Sequence, residues 1–401
     1  MRLLVSLFST VLVAKTYASY LDFGIPASTA TVDVKVFHVA NATGVNGTQD
    51  FILPILPGHD SATFPMHAFI VQHNGKSQTR LMFDLGIRKD PENFVPSVAS
   101  YFSSGAFVVP PHKDIVELLQ DGGINLTSID AVIWRRVAQS LCRCPPIDVV
   151  FPDSHTHFDH VGDMSKFPNT TRLVVSAASD TSTYPTFANA SLQESDFAGH
   201  NLTKVDFSTA KLTFSGLKAI DYFGDGSFYL LDTPGHMLGH MTGLARVTPT
   251  SFIVLGGDTF HHGGQARPQP HFQKNYPCPA HLLEESKSAI STDYFWSPGS
   301  RDGDFDLRTR AQPLLTISDL PTSFYADPAQ ADVSLDKVST FDADPDFFVI
   351  VAHDASLTSA IPLFPASISD WKKRHLKESV VWNFVDAANP AFMFSPVNST
   401  L

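Results

Sequence analysis

The stretch that most constrains this chain is Ser154–Asp163, which reads S-H-T-H-F-D-H-V-G-D and holds three histidines and two aspartates in ten residues. His155 and His157 are two apart, so on an extended segment their side chains leave the same face. Asp159 and His160 follow, and a bend before Val161-Gly162 turns them toward the same point from another side. Neutral imidazole together with carboxylate suits a borderline divalent metal, zinc first, with iron or manganese as alternatives. Four potential ligands this close can serve two adjacent ions. A polar loop with surface histidines is the competing reading, but a complete H-x-H-x-D-H pattern is far more specific than any lone histidine.

The rest of the chain supplies further ligands in a regular way. An expected strand Ser227–Asp232 ends in Thr233-Pro234-Gly235-His236. Another, Ser251–Leu255, ends in Gly256-Gly257-Asp258, and a third, Phe347–Val351, ends in Ala352-His353-Asp354. Each places one histidine or aspartate just past a strand end, where loops gather at one sheet edge.

In order, H-x-H-x-D-H, then H, then D, then H, over about two hundred residues, this set resembles the metal-binding pattern of the metallo-β-lactamase superfamily. The resemblance implies an α/β fold, the αββα four-layer sandwich, with two packed mixed sheets flanked by helices. It implies that His155, His157 and His236 hold one divalent ion. Asp159, His160 and His353 would hold a second, with Asp258 between the two and zinc as the expected metal. Two such ions bring +4 and the two aspartates return −2, a balance that favours a bridging hydroxide over water. Asp84-Leu85-Gly86 stands where family members carry an acid that supports the metal loop from behind. The G-G-D at the strand end and H-D near His353 are most similar to the N-acyl homoserine lactonase branch. Gly256–Pro268, G-G-D-T-F-H-H-G-G-Q-A-R-P, is similar to its secreted fungal-type members.

The implied activity is hydrolysis of a small lactone or carboxylic ester, with Asp159 passing a proton to the leaving alkoxide. Bacterial members place a tyrosine three residues after the bridging aspartate. Here that position is His261, which either donates to the substrate in its place or caps the loop. A thioesterase or glyoxalase-II-like hydrolase, a single-iron dioxygenase and a non-catalytic metal-binding protein are the alternatives.

Composition narrows the setting. The formal net charge of −12 repels phosphate backbones, so a nucleic-acid partner is not expected. Arg2 followed by apolar Leu3–Ala14 and Thr16-Tyr17-Ala18 predicts a signal peptide over 1–19, and seven N-x-S/T sequons fit a secreted protein. The body, 20–401, then reads as one domain without an apolar run long enough to span a membrane. Three cysteines, Cys142, Cys144 and Cys278, make no disulfide framework.

One segment breaks the pattern. The apolar strand Ile129–Trp134 should run straight into the metal loop, yet Arg135–Asp153 intervenes. It is either a genuine insertion or a translated intron. Joining Trp134 to Ser154 restores a continuous strand and loop, which favours the second account, and sequencing the mature transcript separates them. Elsewhere, strands are expected at Val32–Val39, Phe64–His73, Arg80–Phe83 and Arg172–Ser176. Helices are expected at His112–Gln120, His281–Ala289, Pro328–Val338 and Ile368–Glu378, with Asp90–Pro111 irregular.

Overall fold

Side chains alternate across the first strands, and this alternation builds the layers. Val32, Val34, Phe69, Val71, Leu81, Phe83, Ala131 and Ile133 face one buried cluster, while Phe37, Val39, Ala68, Ile70, Met82, Val132 and Trp134 face another. The computed structural model describes residues 19–54, 56–75, 79–135, 158–188, 190–290 and 312–394. In it the strands form a mixed sheet in the order Leu202–Val205, Arg172–Ser176, Ala131–Ile133, Arg80–Phe83, Ala62–His73, Val32–Gly44, Phe107–Val108. The second sheet runs Leu212–Phe214, Leu217–Asp221, Phe228–Asp232, Met241–Thr248, Ser251–Gly257, Phe347–Val351. Its last pair, Ser251–Gly257 with Phe347–Val351, is parallel, so both strands end at the same edge.

The two sheets share one core. Phe228, Leu230, Ile253, Leu255, Phe348 and Ile350 of the second sheet pack into the cluster that holds Val34 and Phe83 of the first. Their neighbours Tyr229, Leu231, Phe252, Val254 and Val349 turn outward onto Leu335, Val338 and Phe341 of helix Pro328–Asp342. The outer face of the first sheet is covered by Ile115, Val116 and Leu119 of helix Ile115–Asp121 and by Val98 of helix Pro96–Ser103. The order helix, sheet, sheet, helix is the expected αββα sandwich.

Three expectations are corrected. The first strand continues past Val39 to Gly44, with a bulge at His38/Ala40, because Ala40–Gly44 pair with Met66–Ala62 on one side and Thr43 and Gly44 pair with Val108 and Phe107 on the other. That pairing gives the segment Asp90–Pro111 structure, a helix Pro96–Ser103 and a short strand, where none was expected. Ile368–Glu378 is not one helix. Its start is tied to the first strand, with Ile368 N donating to Val34 O and Ser369 Oγ accepting from Val34 N. A left-handed His375 (φ 54°) then separates these turns from a short helix Leu376–Val380. The expected signal peptide except Ser19, together with His155, His157, Cys142, Cys144 and all of the 135–153 segment except Arg135, lies outside the described residues. No described helix is long and apolar enough to cross a membrane.

Candidate metal centre

Five of the expected ligands lie within the described residues, and the ends of four strands bring them together. Strand Phe228–Asp232 leads to His236 through Gly235, whose φ of +129° and close approach to Ala331 (2.1 Å from an added Cβ to its backbone N) admit no side chain. Strand Ser251–Gly257 delivers Asp258 after Gly257, at φ +63°. His353 follows strand Phe347–Val351, with Ala352 N donating to Gly257 O at 2.8 Å. Asp159 and His160 are set against the end of strand Arg80–Phe83, where Leu85 N donates to His160 O at 2.9 Å.

These side chains converge on one carboxylate oxygen. Asp258 Oδ2 lies 3.3 Å from Nε2 of His160, His261 and His353, and 3.7 Å from Nε2 of His236. Asp159 Oδ1 is 3.3 Å from His160 Nε2, and its Oδ2 is 3.0 Å from His353 Nε2. The Nε2 atoms of His160 and His353 stand 3.4 Å apart. Two ligands bonded at ~2.1 Å to a tetrahedral ion stand roughly 3.4 Å apart, so these spacings match those between ligands of a shared ion. Two groups result, Asp159–His160–His353 and His236–Asp258–His261.

The ring orientations agree with that reading. His353 Nδ1 lies 2.8 Å from Pro65 O, which can only accept, so the proton sits on Nδ1 and Nε2 turns its lone pair inward. His160 Nδ1 lies 3.1 Å from Asp84 Oδ2, the acid expected behind the metal loop. Asp84 itself is buried and left-handed (φ 63°), a strained conformation of the kind held at functional sites. The carboxylates call for positive charge here. Burial alone would push the His353 imidazole down, but Asp258 and Asp159 outweigh it and push it up to about 10. Burial likewise would raise Asp159, yet His160 and His353 hold it well below the usual carboxylate range. A divalent ion supplies the same charge and displaces the proton. The residues present therefore fit a pair of divalent ions.

One cation is built into the chain. The fully buried Arg135 guanidinium donates from Nε to Asp84 Oδ2 and from Nη2 to Asp258 Oδ1 at 2.7 Å. Its Nη1 contacts His240 Nε2 at 3.1 Å, and its Nη2 lies 2.5 Å from His160 Nδ1. Neither Arg135 nor His240 was expected from the sequence. His240 follows His236 by four residues, a spacing that could have been noticed. It accepts from Asp258 N at 3.2 Å, and its Nδ1 lies 2.8 Å from Thr233 Oγ1.

Above the ligands lies a pocket walled by Phe51, Phe64, Phe107, Phe158 and Phe324, with Asp159, Asp258, His261 and His353 at its base. Phe107 belongs to the aromatic-rich segment that looked irregular in sequence. His261 and His262 separate into two roles. His262 caps the short helix Gly263–Ala266, accepting from Gly264 N at 3.0 Å, and its Nε2 donates to Ala391 O at 2.7 Å. His261 does not cap; its ring enters the ligand cluster.

No family model matches the chain. It is 31% identical over 378 residues to the γ-lactamase FDB1 of Fusarium pseudograminearum, covering 91% of this chain and 84% of that one. It is 34% identical over 378 residues to the metallo-hydrolase mfmC of Annulohypoxylon moriforme, covering 92% and 90%. Among solved structures, an N-acyl homoserine lactone hydrolase with the product N-hexanoyl-L-homoserine bound at its catalytic metal centre matches with a TM-score of 0.51. That likeness, at 14% identity over 86% of this chain and 100% of the other, is one of fold.

Proposed function

The chain belongs to the metallo-β-lactamase superfamily and is a metal-dependent hydrolase, and from that premise we propose that it opens a lactone or cleaves a carboxylic ester at a dinuclear centre. The observation that carries this reading is the convergence of four imidazole Nε2 atoms on Asp258, with Asp159 against two of them, His160 and His353, at ligand-to-ligand spacing. His236 and Asp258 would hold the first ion with His155 and His157, and Asp159, His160 and His353 the second, with Asp258 shared. When bound, two divalent ions lower the pKa of water toward ~7 and polarise a carbonyl. Zinc suits the imidazole-rich donor set.

The chain's own groups do the rest. Pro65 O and Asp84 hold the His353 and His160 rings with their Nε2 atoms inward. Asp159, whose side chain is 15% exposed, is the carboxylate placed to take a proton from the attacking water and return it to the leaving alkoxide. The phenylalanine walls exclude bulk water and accept an apolar substrate body, which strengthens electrostatic interactions with the carbonyl. A γ-lactam is a second reading, favoured by the name of the Fusarium relative; the same tetrahedral chemistry applies to its amide. A thioester is a third substrate class open to the same groups.

Replacement of Asp258 by Asn, or stripping with a chelator, should abolish hydrolysis of a simple aryl lactone, and zinc should restore it only in the stripped wild type. Turnover that persists after both treatments would overturn the reading. Lactone, γ-lactam and thioester assayed side by side rank the three substrate classes. Secretion is part of the same proposal. The leader-like N-terminus supports it, as does the exposure of Asn41, Asn46, Asn125, Asn169 and Asn201, the sequon asparagines within the described residues.

A further inference from the structure

We infer that His261 is a ligand of the first ion, held in the ligating tautomer by Tyr325. The inference rests on the dinuclear reading above and adds a donor to it. His261 is 2% exposed, and its backbone N–H donates to Gln265 Oε1 at 2.7 Å, so its place in the loop does not depend on its side chain. Its Nδ1 lies 2.7 Å from Tyr325 Oη, and its Nε2 points at Asp258 Oδ2, 3.3 Å away. The ring lies parallel to that of His353, 5.2 Å between centroids with planes 5° apart, and 5.1 Å from that of His236.

A substrate-carbonyl donor would aim its Nε2–H into the open pocket. His261 instead joins three other imidazoles around one carboxylate oxygen. Such an oxygen has two lone pairs and cannot accept from four N–H groups at once. A cation among them removes the conflict, since each Nε2 then presents a lone pair. Tyr325 makes this tautomer available to His261: when the phenol oxygen accepts from Nδ1–H, Nε2 is the free donor atom. Tyr325 is itself buried, and its ring meets His236 edge-on at 4.5 Å, so one phenol buttresses two imidazoles of the same group.

The test is metal binding by the full chain. Chelator-stripped protein is titrated with zinc by calorimetry, and the cobalt-substituted form is read by its visible absorption. Wild type should take up two ions per chain. His261→Ala should weaken one of them by at least a hundredfold and alter the cobalt bands. Tyr325→Phe, which leaves the imidazole in place, should weaken the same ion by 10–100-fold, the usual effect of losing a group that orients a ligand. Two ions bound with wild-type affinity and unchanged cobalt bands in both variants would overturn the assignment of His261. Failure of wild type to take up two ions would overturn the dinuclear reading instead.

Discussion

Arg135 is the residue at which the two ways of neutralising this site meet. Asp84, Asp159 and Asp258 carry three negative charges, and the guanidinium answers one of them, so two divalent ions leave the site at +2 just as the two ligand aspartates alone would. Its contact with His160 has a sharper consequence. Its Nη2 lies 2.5 Å from His160 Nδ1 and 3.1 Å from Nε2, the nitrogen that an ion would take. The guanidinium and an ion on His160 thus compete for the same side of the ring. Replacing Arg135 by Met should cost the chelator-treated protein about 3–5 kcal/mol, because two buried carboxylates lose their partner. Zinc should recover most of that loss, and the variant should bind its second ion more tightly than wild type. Denaturant unfolding with and without zinc measures both, and equal stability of variant and wild type in chelator would contradict the account. Nothing in the sequence marks Arg135 for this place, since its partners lie 51 and 123 residues away in a chain order that carries no distance information. His236, Asp258 and His353 were legible because each sits just past an apolar run. Tyr325 was not, because its contact with His261 depends on where a loop is laid.

Among the elements, short apolar runs flanked by glycine or turn residues were read almost to the residue: Arg80–Phe83, Arg172–Ser176 and Phe347–Val351 are strands over those same bounds. The misreadings have a common cause. The extension of the first strand, the short strand Phe107–Val108 and the broken Ile368–Glu378 segment are all decided by partners far along the chain, which override local propensity. The turn Glu194–Asp196 carries a testable charge effect of the same origin. Asp196 is 4% exposed, its Oδ1 has no hydrogen-bond partner among the described residues, and burial, with Asp163 nearby, pushes its carboxyl up to about 7. Between pH 3.8 and about 7 the folded chain keeps a proton that the unfolded chain releases, so this group's contribution is lost as pH rises through 7. Asp196→Asn has no proton to lose. Its stability relative to wild type should therefore rise by on the order of 2–4 kcal/mol between pH 4 and pH 8. Urea unfolding at the two values tests this, and a pH-independent difference would refute it.

For the molecule as a whole, Ser19, at the end of the expected signal peptide, is tied to the body: its hydroxyl lies 2.8 Å from Asp344 Oδ1 and 2.7 Å from Asp346 Oδ2. A secreted origin predicts sugar on the exposed sequons. Protein from a eukaryotic secretory host should lose several kilodaltons of apparent mass on endoglycosidase treatment, and an unchanged mass would count against that origin. The fold class and the candidate ligands came from a family resemblance that the residue pattern itself carries, because strand alternation and a histidine or aspartate at each strand end are local properties. What remained for the tertiary structure was which atoms share a ligand's lone pairs. The rotation of His261 into the cluster, the cap left to His262, the guanidinium of Arg135 and the phenylalanine walls all depend on loops from distant parts of the chain packing at one sheet edge. Direction and separation there are set by the assembled core and have no counterpart in sequence spacing.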